Sequence, residues 1–344
     1  MIALDATYSV GRNLSGVGVY SREMLFGLAR GHPEEQFLFC YRPHHFLRSL
    51  EGRLPKNASR RILRGPPAAP LFHALNQRVE HRARRTVATF HDLFVLTGEY
   101  STPEFRARFA QQARQAAERT DLLIAVSEFT ASQMEALLRV ERSRIRVIPH
   151  GVDPPSPAAE PRDNVAQARE NLVLTVGAIQ KRKNIARLVR AFERMPPGWK
   201  LAIAGSGEGF GAAEELRAVE ASPRRGDIDI LGYVPAAQLE ALYGYARIFA
   251  FPSLDEGFGM PILEAMAHGV AVVTSRRSAS PETAGDAALL VDPENVEEIA
   301  AALLRLAADS DLREDLARRG RERARQFPWS SAVERTWAVY HELV

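Results

Sequence analysis

Residues 248–274 read IFAFPSLDEGFGMPILEAMAHGVAVVT. Ile248 to Phe251 is a short apolar run of the kind that forms a buried strand, and Ala271 to Thr274 is a second one. Between them the chain turns through Gly257 and Gly259, which allow close backbone approach. It then enters a helix whose first turn suits Pro261 and which stops at Gly269, just past His268. Two buried strands joined by a helix make a βαβ unit, and repeated βαβ units build parallel sheets.

The same alternation extends in both directions. In the first half, strands are expected at Ile2 to Ala6, Gln36 to Cys40, Arg60 to Leu63, Thr86 to Phe90, Leu122 to Val126 and Ile145 to Ile148. In the second half they are expected at Leu172 to Val176, Lys200 to Ala204, Ile228 to Leu231, Ile248 to Phe251, Ala271 to Thr274 and Ala288 to Val291. A chain of 344 residues is longer than one core usually supports, so two α/β domains are expected. The stretch Asp153 to Glu160, with Pro154, Pro155 and Pro157, breaks any helix and reads as the linker. The expected domains are residues 1–155 and 156–328. Past Pro293 the pattern turns helical, through Val296 to Leu306 and Leu312 to Gln326. Phe327-Pro328-Trp329 interrupts it before a last helix, Ser331 to Val344.

Composition is that of a globular protein, 46% apolar and 25% charged, without low-complexity tracts. Cys40 is the only cysteine, so neither an intrachain disulfide nor a cysteine-based zinc site can form, which fits a reducing compartment. The N-terminus opens directly on a strand and lacks the pattern of a secretory signal, and no apolar run approaches the ~20 residues of a membrane span. A cytoplasmic protein is expected. Up to Pro155 there are 22 basic and 15 acidic residues (+7), and after it 23 and 27 (−4), within an overall +3. The basic half either faces an anionic partner or carries solvated arginines on helix faces.

In open parallel sheets ligands bind beyond the carboxyl ends of the strands. Ser15-Gly16-Val17-Gly18, His91-Asp92, Ser127-Glu128 and His150-Gly151 follow strands of the first half. Lys181-Arg182-Lys183-Asn184, Gly205-Ser206-Gly207, Tyr233 and Asp255-Glu256-Gly257-Phe258-Gly259 follow strands of the second. Free N–H groups at the helix start beside Pro261 suit an anion such as a diphosphate, with Lys183 and Arg182 as cations. Each signal has an ordinary reading as well. Gly16 and Gly18 depart from the dinucleotide fingerprint at Tyr20 and Ser21 and fit a plain turn. His91 and His150 fit structural histidines, and Lys181 to Lys183 fits a solvated turn. The spacing of Glu256 and Glu264 recurs at Glu314 and Glu322 and at Glu334 and Glu342, so context rather than spacing distinguishes it.

Taken together, these segments resemble glycosyltransferase family four, the retaining GT-B enzymes also called glycosyltransferase group 1, in a mannosyltransferase-like branch. Val176-Gly177-Ala178-Ile179-Gln180-Lys181-Arg182-Lys183-Asn184 is similar to the family's V-G-x-x-x-x-R-K-N segment. Residues 251–267 are similar to its Glu-x7-Glu motif. Ser280-Pro281-Glu282 and Gly285-Asp286-Ala287-Ala288 continue the likeness, as do the loop before Tyr20, His91-Asp92, Val126-Ser127-Glu128 and Ile148-Pro149-His150-Gly151-Val152-Asp153 in the first half.

The resemblance implies two Rossmann-like domains whose parallel sheets face each other across an interdomain cleft, with the helix of residues 329–344 crossing back onto the first domain. It implies that Lys183, with Arg182, holds the donor diphosphate. Glu256 and the amides of Gly257, Phe258, Gly259 and Met260, ahead of Pro261, would face the transferred hexose, and Glu264 would bond the ribose. Gly16 would approach the phosphates, Gly205 belongs with the donor-binding set, His91 would line the sugar and acceptor site, and Tyr233 would lie near the base. Many relatives carry Arg where this chain has Ala178, and Arg182 is the expected substitute.

The expected activity is transfer of a hexose, leaning to mannose from GDP-mannose, to a hydroxyl on a saccharide or lipid-linked glycan. Fixed cations at the leaving diphosphate lower the barrier without a divalent metal, and Asp227-Ile228-Asp229 reads as a strand rather than a metal-binding pair, so no cofactor is expected. Glu256 is expected as nucleophile or as electrostatic partner of an oxocarbenium-like state. Competing readings are an epimerase or phosphorylase on the same fold, or a non-catalytic nucleotide-sugar-binding or assembly subunit. No nucleic-acid partner is expected. Arg78, Arg82, Arg84 and Arg85 suggest peripheral contact with an anionic membrane.

Overall fold

The computed structural model describes residues 1–11, 13–156 and 169–344. Pro157 to Glu160 of the expected linker lie outside that range. Among the described residues the chain forms two compact units, Met1–Gly98 with Pro103–Gly151 and Phe327–Val344, and Glu99–Thr102 with Val152–Gln326.

The first unit holds a parallel sheet of β1 (Ile2–Asp5), β2 (Phe37–Tyr41), β3 (Ala58–Ile62), β4 (Leu71–Ala74), β5 (Arg85–Phe90), β6 (Leu122–Ala125) and β7 (Ile145–Val147). Their order is β3-β2-β1-β4-β5-β6-β7. Between them run α1 (Gly16–Gly31), α2 (Pro43–Ser49), α3 (Phe94–Thr97), α4 (Pro103–Arg119) and α5 (Glu128–Leu138). Phe109, Ala113, Ala116 and Ala117 of α4 pack with Ala131 and Met134 of α5 onto Ala88, Phe90, Leu123 and Ala125 of the sheet.

The second unit holds β8 (Glu170–Val176), β9 (Lys200–Ala204), β10 (Ile228–Gly232), β11 (Ala246–Phe251), β12 (Ala271–Ser275) and β13 (Ala288–Val291), ordered β10-β9-β8-β11-β12-β13. Its helices are α6 (Ile185–Phe192), α7 (Ala212–Glu220), α8 (Ala236–Tyr245), α9 (Met260–Ala267), α10 (Ser280–Ala284), α11 (Val296–Ala308) and α12 (Ser310–Ala324). Leu188, Val189 and Phe192 of α6, with Ile299 and Leu303 of α11, bury the strand residues Val173, Ile203, Ile248 and Val273. Every strand pair in both sheets is parallel. The direction of winding reverses between β1 and β4 in one sheet and between β8 and β11 in the other, and such reversals are where open α/β sheets place ligands.

The final helix, α13 (Trp329–His341), belongs to the first unit and packs along α1. Val333, Val339 and Tyr340 join Tyr20, Met24, Leu25 and Leu28 in one core. It begins two residues earlier than the sequence pattern suggests. Pro328, held at φ −73° in the position before the helix, marks the start itself rather than a longer break.

β4 is a strand that the sequence pattern does not announce. It has four residues, follows Pro70, and carries His73 in the middle of its apolar run. All four are buried at the centre of the sheet. His73 is tolerated because both ring nitrogens have partners, Nδ1 with Tyr340 Oη at 2.6 Å and Nε2 with Thr89 Oγ1 at 2.9 Å. Burial pushes its pKa down to about 3, so the ring is neutral.

The turn after β7 is built around α13. A Cβ at Gly151 would stand 2.5 Å from the Cα of Trp329, closer than nonbonded carbons can come, so only glycine lets the helix start seat there. Gly151→Ala is expected to cost about 1–3 kcal/mol through forced displacement. Thermal unfolding should register it as a lower midpoint, and a midpoint equal to the parent's would show that the turn can yield.

Candidate functional site

At the reversal between β8 and β11 two loops meet. The loop after β8 runs from Gly177 into a 3-10 turn, Lys181–Lys183. The loop after β11 carries Asp255 and Glu256. Lys183 Nζ donates to Glu256 Oε1 at 2.5 Å, and Arg182 Nη1 lies 2.7 Å from the same oxygen. Arg182 Nη1 also donates to the Asp255 carbonyl at 3.1 Å, and Leu254 N donates to the Arg182 carbonyl at 2.8 Å. Lys183 reaches this point across Gly177, where a Cβ would sit 3.2 Å from its Cε, and over the Phe251 ring, 4.3 Å from the centroid. That placement adds a cation–π attraction to the ion pair. Burial alone would raise the Glu256 carboxyl, but the charges of Arg182 and Lys183 outweigh it and hold the pKa at about 2.

Asn184 fixes the two loops together. Its backbone is left-handed, φ 62° and ψ 37°, a conformation that asparagine tolerates better than most residues. From there its amide donates to the carbonyls of Pro252 at 2.9 Å and Pro293 at 2.6 Å. Sequence reading assigned Asn184 no task, although an asparagine closing a turn was the available signal. The Glu256 to Phe258 backbone is pinned from the far side. Glu256 N donates to Ser278 Oγ at 3.0 Å, Ala279 N to the Glu256 carbonyl at 3.2 Å, and Thr283 Oγ1 to the Phe258 carbonyl at 2.6 Å. Gly259 then takes φ 96° just before α9, with Met260 and Pro261 in the first turn. Gly205 serves packing: a Cβ there would lie 1.9 Å from the Gly177 carbonyl oxygen. The glycine thus lets the loops after β8 and β9 touch backbone to backbone.

Glu264 lies one turn into α9 and is half-buried. Tyr243 Oη donates to its Oε2 at 2.8 Å. Burial raises the Glu264 pKa, partly offset by Tyr243. Tyr243, which sequence reading does not single out, sits two residues before the end of α8 in a run with no motif of its own. Tyr233 follows Gly232 at the end of β10 and is 44% exposed.

The first unit gathers a separate group. His91, after β5, donates Nε2–H to the Leu75 carbonyl at 2.9 Å, which leaves Nδ1 as an acceptor 3.3 Å from His150 Nε2. The two imidazoles stack at 5.2 Å and 4°, and Tyr20 meets both edge-on at 4.7 and 4.9 Å. Burial pushes His91 down to about 4, so it is neutral near pH 7. Gly16 is the first residue of α1, exposed beside Ser15, whose hydroxyl caps the helix by accepting from Gly18 N at 3.3 Å.

A family model described as "Glycosyl transferases group 1" matches residues 158–323, and one described as "Glycosyltransferase Family 4" matches residues 15–155. The O-antigen chain mannosyltransferase B of Escherichia coli is 34% identical over 280 residues, 78% of this chain and 74% of that one. The MMP alpha-(1->4)-mannosyltransferase of Mycolicibacterium hassiacum is 31% identical over 245 residues, 69% of this chain but 57% of its own length. Among solved structures, sucrose-phosphate synthase from Thermosynechococcus elongatus superimposes with a TM-score of 0.79 at 22% identity, covering 99% of this chain and 98% of that one. Anabaena HepE in complex with UDP and glucose gives 0.76 at 17% identity over 99% of each chain. At these identities the structural likeness is one of fold, the two-domain α/β arrangement called GT-B.

The depressed pKa of Glu256 has a direct consequence for acid stability. A carboxyl at 4.5 when unfolded and about 2 when folded stabilises the fold above pH 4.5 and loses that contribution as the pH falls toward 2. The stability gap between the parent and Glu256→Gln should therefore be widest near neutral pH and narrow steadily below about pH 4.5. Denaturant unfolding from pH 7 to pH 3 measures it, and a constant gap would show that Glu256 is not held ionised by its two cations.

Proposed function

The chain belongs to the glycosyltransferase group 1 family, a GT-B glycosyltransferase, and from that premise we propose that it transfers mannose from GDP-mannose, with retention and without a metal, to a hydroxyl of a saccharide or lipid-linked glycan. The observation that carries this reading is the convergence of Lys183 and Arg182 on Glu256 at the β8/β11 reversal, beside the start of α9. An ammonium has three donors and a guanidinium five, so each cation can serve the carboxylate and a diphosphate oxygen together. As the bond from sugar to diphosphate breaks, negative charge grows on the leaving phosphate, where fixed cations and the helix N-terminus lower the barrier. The mannose preference takes support from the mannosyltransferase names of the two relatives above.

Given retention, the electrostatics of Glu256 bear on its route. A carboxylate held at about pKa 2 by two cations is a weak base and correspondingly a weak nucleophile. That favours stabilisation of an oxocarbenium-like centre over a covalent intermediate, with the departing phosphate taking the acceptor proton. In the same reading Glu264 bonds the ribose, Tyr233 lies near the base, and His91, neutral and with both nitrogens engaged, shapes the acceptor side rather than moving a proton.

Lys183→Ala should lower kcat by roughly 10² to 10³, the scale of losing one fixed donor at a developing charge. Glu256→Ala should also act on kcat, with nucleotide affinity near the parent's. Glu264→Ala should chiefly weaken donor binding, because its bonds are equal in ground and transition states. Glu322, paired with Arg318 on the surface of α12 at 3.2 Å, is the control. Kinetics of all four variants with GDP-mannose and UDP-glucose test the reading. Parent-like turnover by Lys183→Ala and Glu256→Ala would place the chemistry elsewhere, and faster transfer from UDP-glucose would reject the donor.

Among the described residues no helix is long and apolar enough to cross a membrane. A lipid-linked acceptor would be met by the basic first unit, on the inner face of the membrane. Arg78 pairs with Glu80 and Arg85 with Asp121, which leaves Arg82 and Arg84 as the principal contributors from that run. Sedimentation with anionic vesicles should show binding that falls steeply with salt and is weakened by the double substitution of Arg82 and Arg84 to Ala. No binding at low ionic strength would dispose of the membrane contact.

A further inference from the structure

We propose that Tyr243 is a positioning residue that aims Glu264 at the ribose of the donor nucleotide, so that the pair selects ribonucleotides. The inference rests on the reading of Glu264 as the ribose ligand. A glutamate side chain on a helix surface samples several rotamers, and a ligand that must order it loses affinity in doing so. Here the ordering is already done. Tyr243 Oη donates its single proton to Oε2 of Glu264 at 2.8 Å, restraining the rotamer and rotation of the carboxylate. Among the described residues Tyr243 is the only hydrogen-bond partner of that carboxylate, and Oε1 carries none. Two oxygens of restrained direction, one already occupied, match a vicinal diol that donates from adjacent carbons.

The phenol is itself held from several sides. Its ring stacks on His268 with centroids 5.1 Å apart and 25° between planes, and meets Phe249 at 5.8 Å. His268 Nδ1 donates to the Glu264 carbonyl at 2.8 Å, which fixes the imidazole relative to the residue being aimed. Arg169 donates to the Tyr243 carbonyl at 3.0 Å and to the His268 carbonyl at 2.6 Å, joining the end of α8 to the end of α9. Burial pushes the Tyr243 pKa well above its ordinary value, so the hydroxyl remains a donor at every pH the protein encounters. So much structure around one hydroxyl exceeds what a partner for a half-buried carboxylate requires. Preorganisation of a binding group accounts for it.

A double-mutant cycle between Tyr243→Phe and Glu264→Ala, read out with GDP and 2′,3′-dideoxy-GDP by calorimetry, tests the proposal, with UDP and 2′,3′-dideoxy-UDP as a second pair. Tyr243→Phe should weaken GDP about three- to tenfold, the scale of one oriented hydrogen bond, and leave the dideoxy compound within about twofold of the parent. Added to Glu264→Ala it should cost nothing further. Equal weakening of both nucleotides, or an undiminished cost in the Glu264→Ala background, would make Tyr243 a structural residue and overturn the proposal. If Glu264→Ala itself leaves the preference for ribose unchanged, the ribose reading fails and takes this inference with it. If Glu264→Ala abolishes the preference and Tyr243→Phe does not reduce it, only the role of Tyr243 is lost.

Discussion

One carboxylate oxygen organises the second unit's loop cluster. Glu256 Oε1 accepts from Lys183 and lies against Arg182, so the loops leaving β8 and β11 are joined by charge where the sheet reverses direction. Removing either side would leave an ion in a place largely closed to water, which is far more costly than losing a surface pair. The neighbouring residue choices follow from that constraint. Gly177 makes room for the lysine tail, Phe251 offers it an aromatic face, and Asn184 accepts a left-handed backbone so that its amide can bind the opposite loop. Buried ion pairs are weak evidence of stability. Their presence here, at a strand-end crevice, accords better with chemistry than with folding.

The first unit buries one ion pair, Arg42 with Asp5 at 3.6 Å, but the polar groups beneath its last helix are neutral. His73, Thr89, Tyr20 and Tyr340 form a hydrogen-bonded chain through the core, and His91 and His150 stack beside Tyr20. Desolvation keeps these imidazoles uncharged. A polar network of this kind specifies one arrangement of the helices around it, because a shift of α13 would strand His73 Nδ1 without a partner. Charge joins the loops of the second unit, and matched neutral donors and acceptors seat the last helix of the first.

The parallel α/β architecture was legible because strand, turn and helix signals repeat along the chain with ordinary spacing, and the apolar runs at Lys200 to Ala204 and Ala288 to Val291 are strands residue for residue. β4 escaped because a histidine interrupted a four-residue run, and only its distant partners Thr89 and Tyr340 make that histidine acceptable. Lys183, Arg182 and Glu256 could be singled out from their neighbours in sequence, but their meeting on a single oxygen depends on sheet order. Gly205, expected in the donor-binding set, also answers a packing demand set by the Gly177 backbone, which its sequence neighbours do not reveal. Asn184, Tyr243 and Arg169 act through residues 21 to 109 positions away, and no local pattern encodes such pairings.

The crossing of the chain back to the first unit bears on how the protein is made. That unit is interrupted after Gly151 and resumes only at Phe327, and the returning segment supplies Val333, Val339 and Tyr340 to its core. On a ribosome adding about 5–20 residues per second, the first unit waits roughly ten to forty seconds for its last helix. During that interval the face of α1 that will receive α13 is uncovered and His73 lacks Tyr340, while the second unit is made and reaches its last residue, Gln326, just ahead of the returning segment. The part of the protein that emerges first is therefore the part that finishes last, and its half-built surface is the one on which a chaperone would have the most time to act.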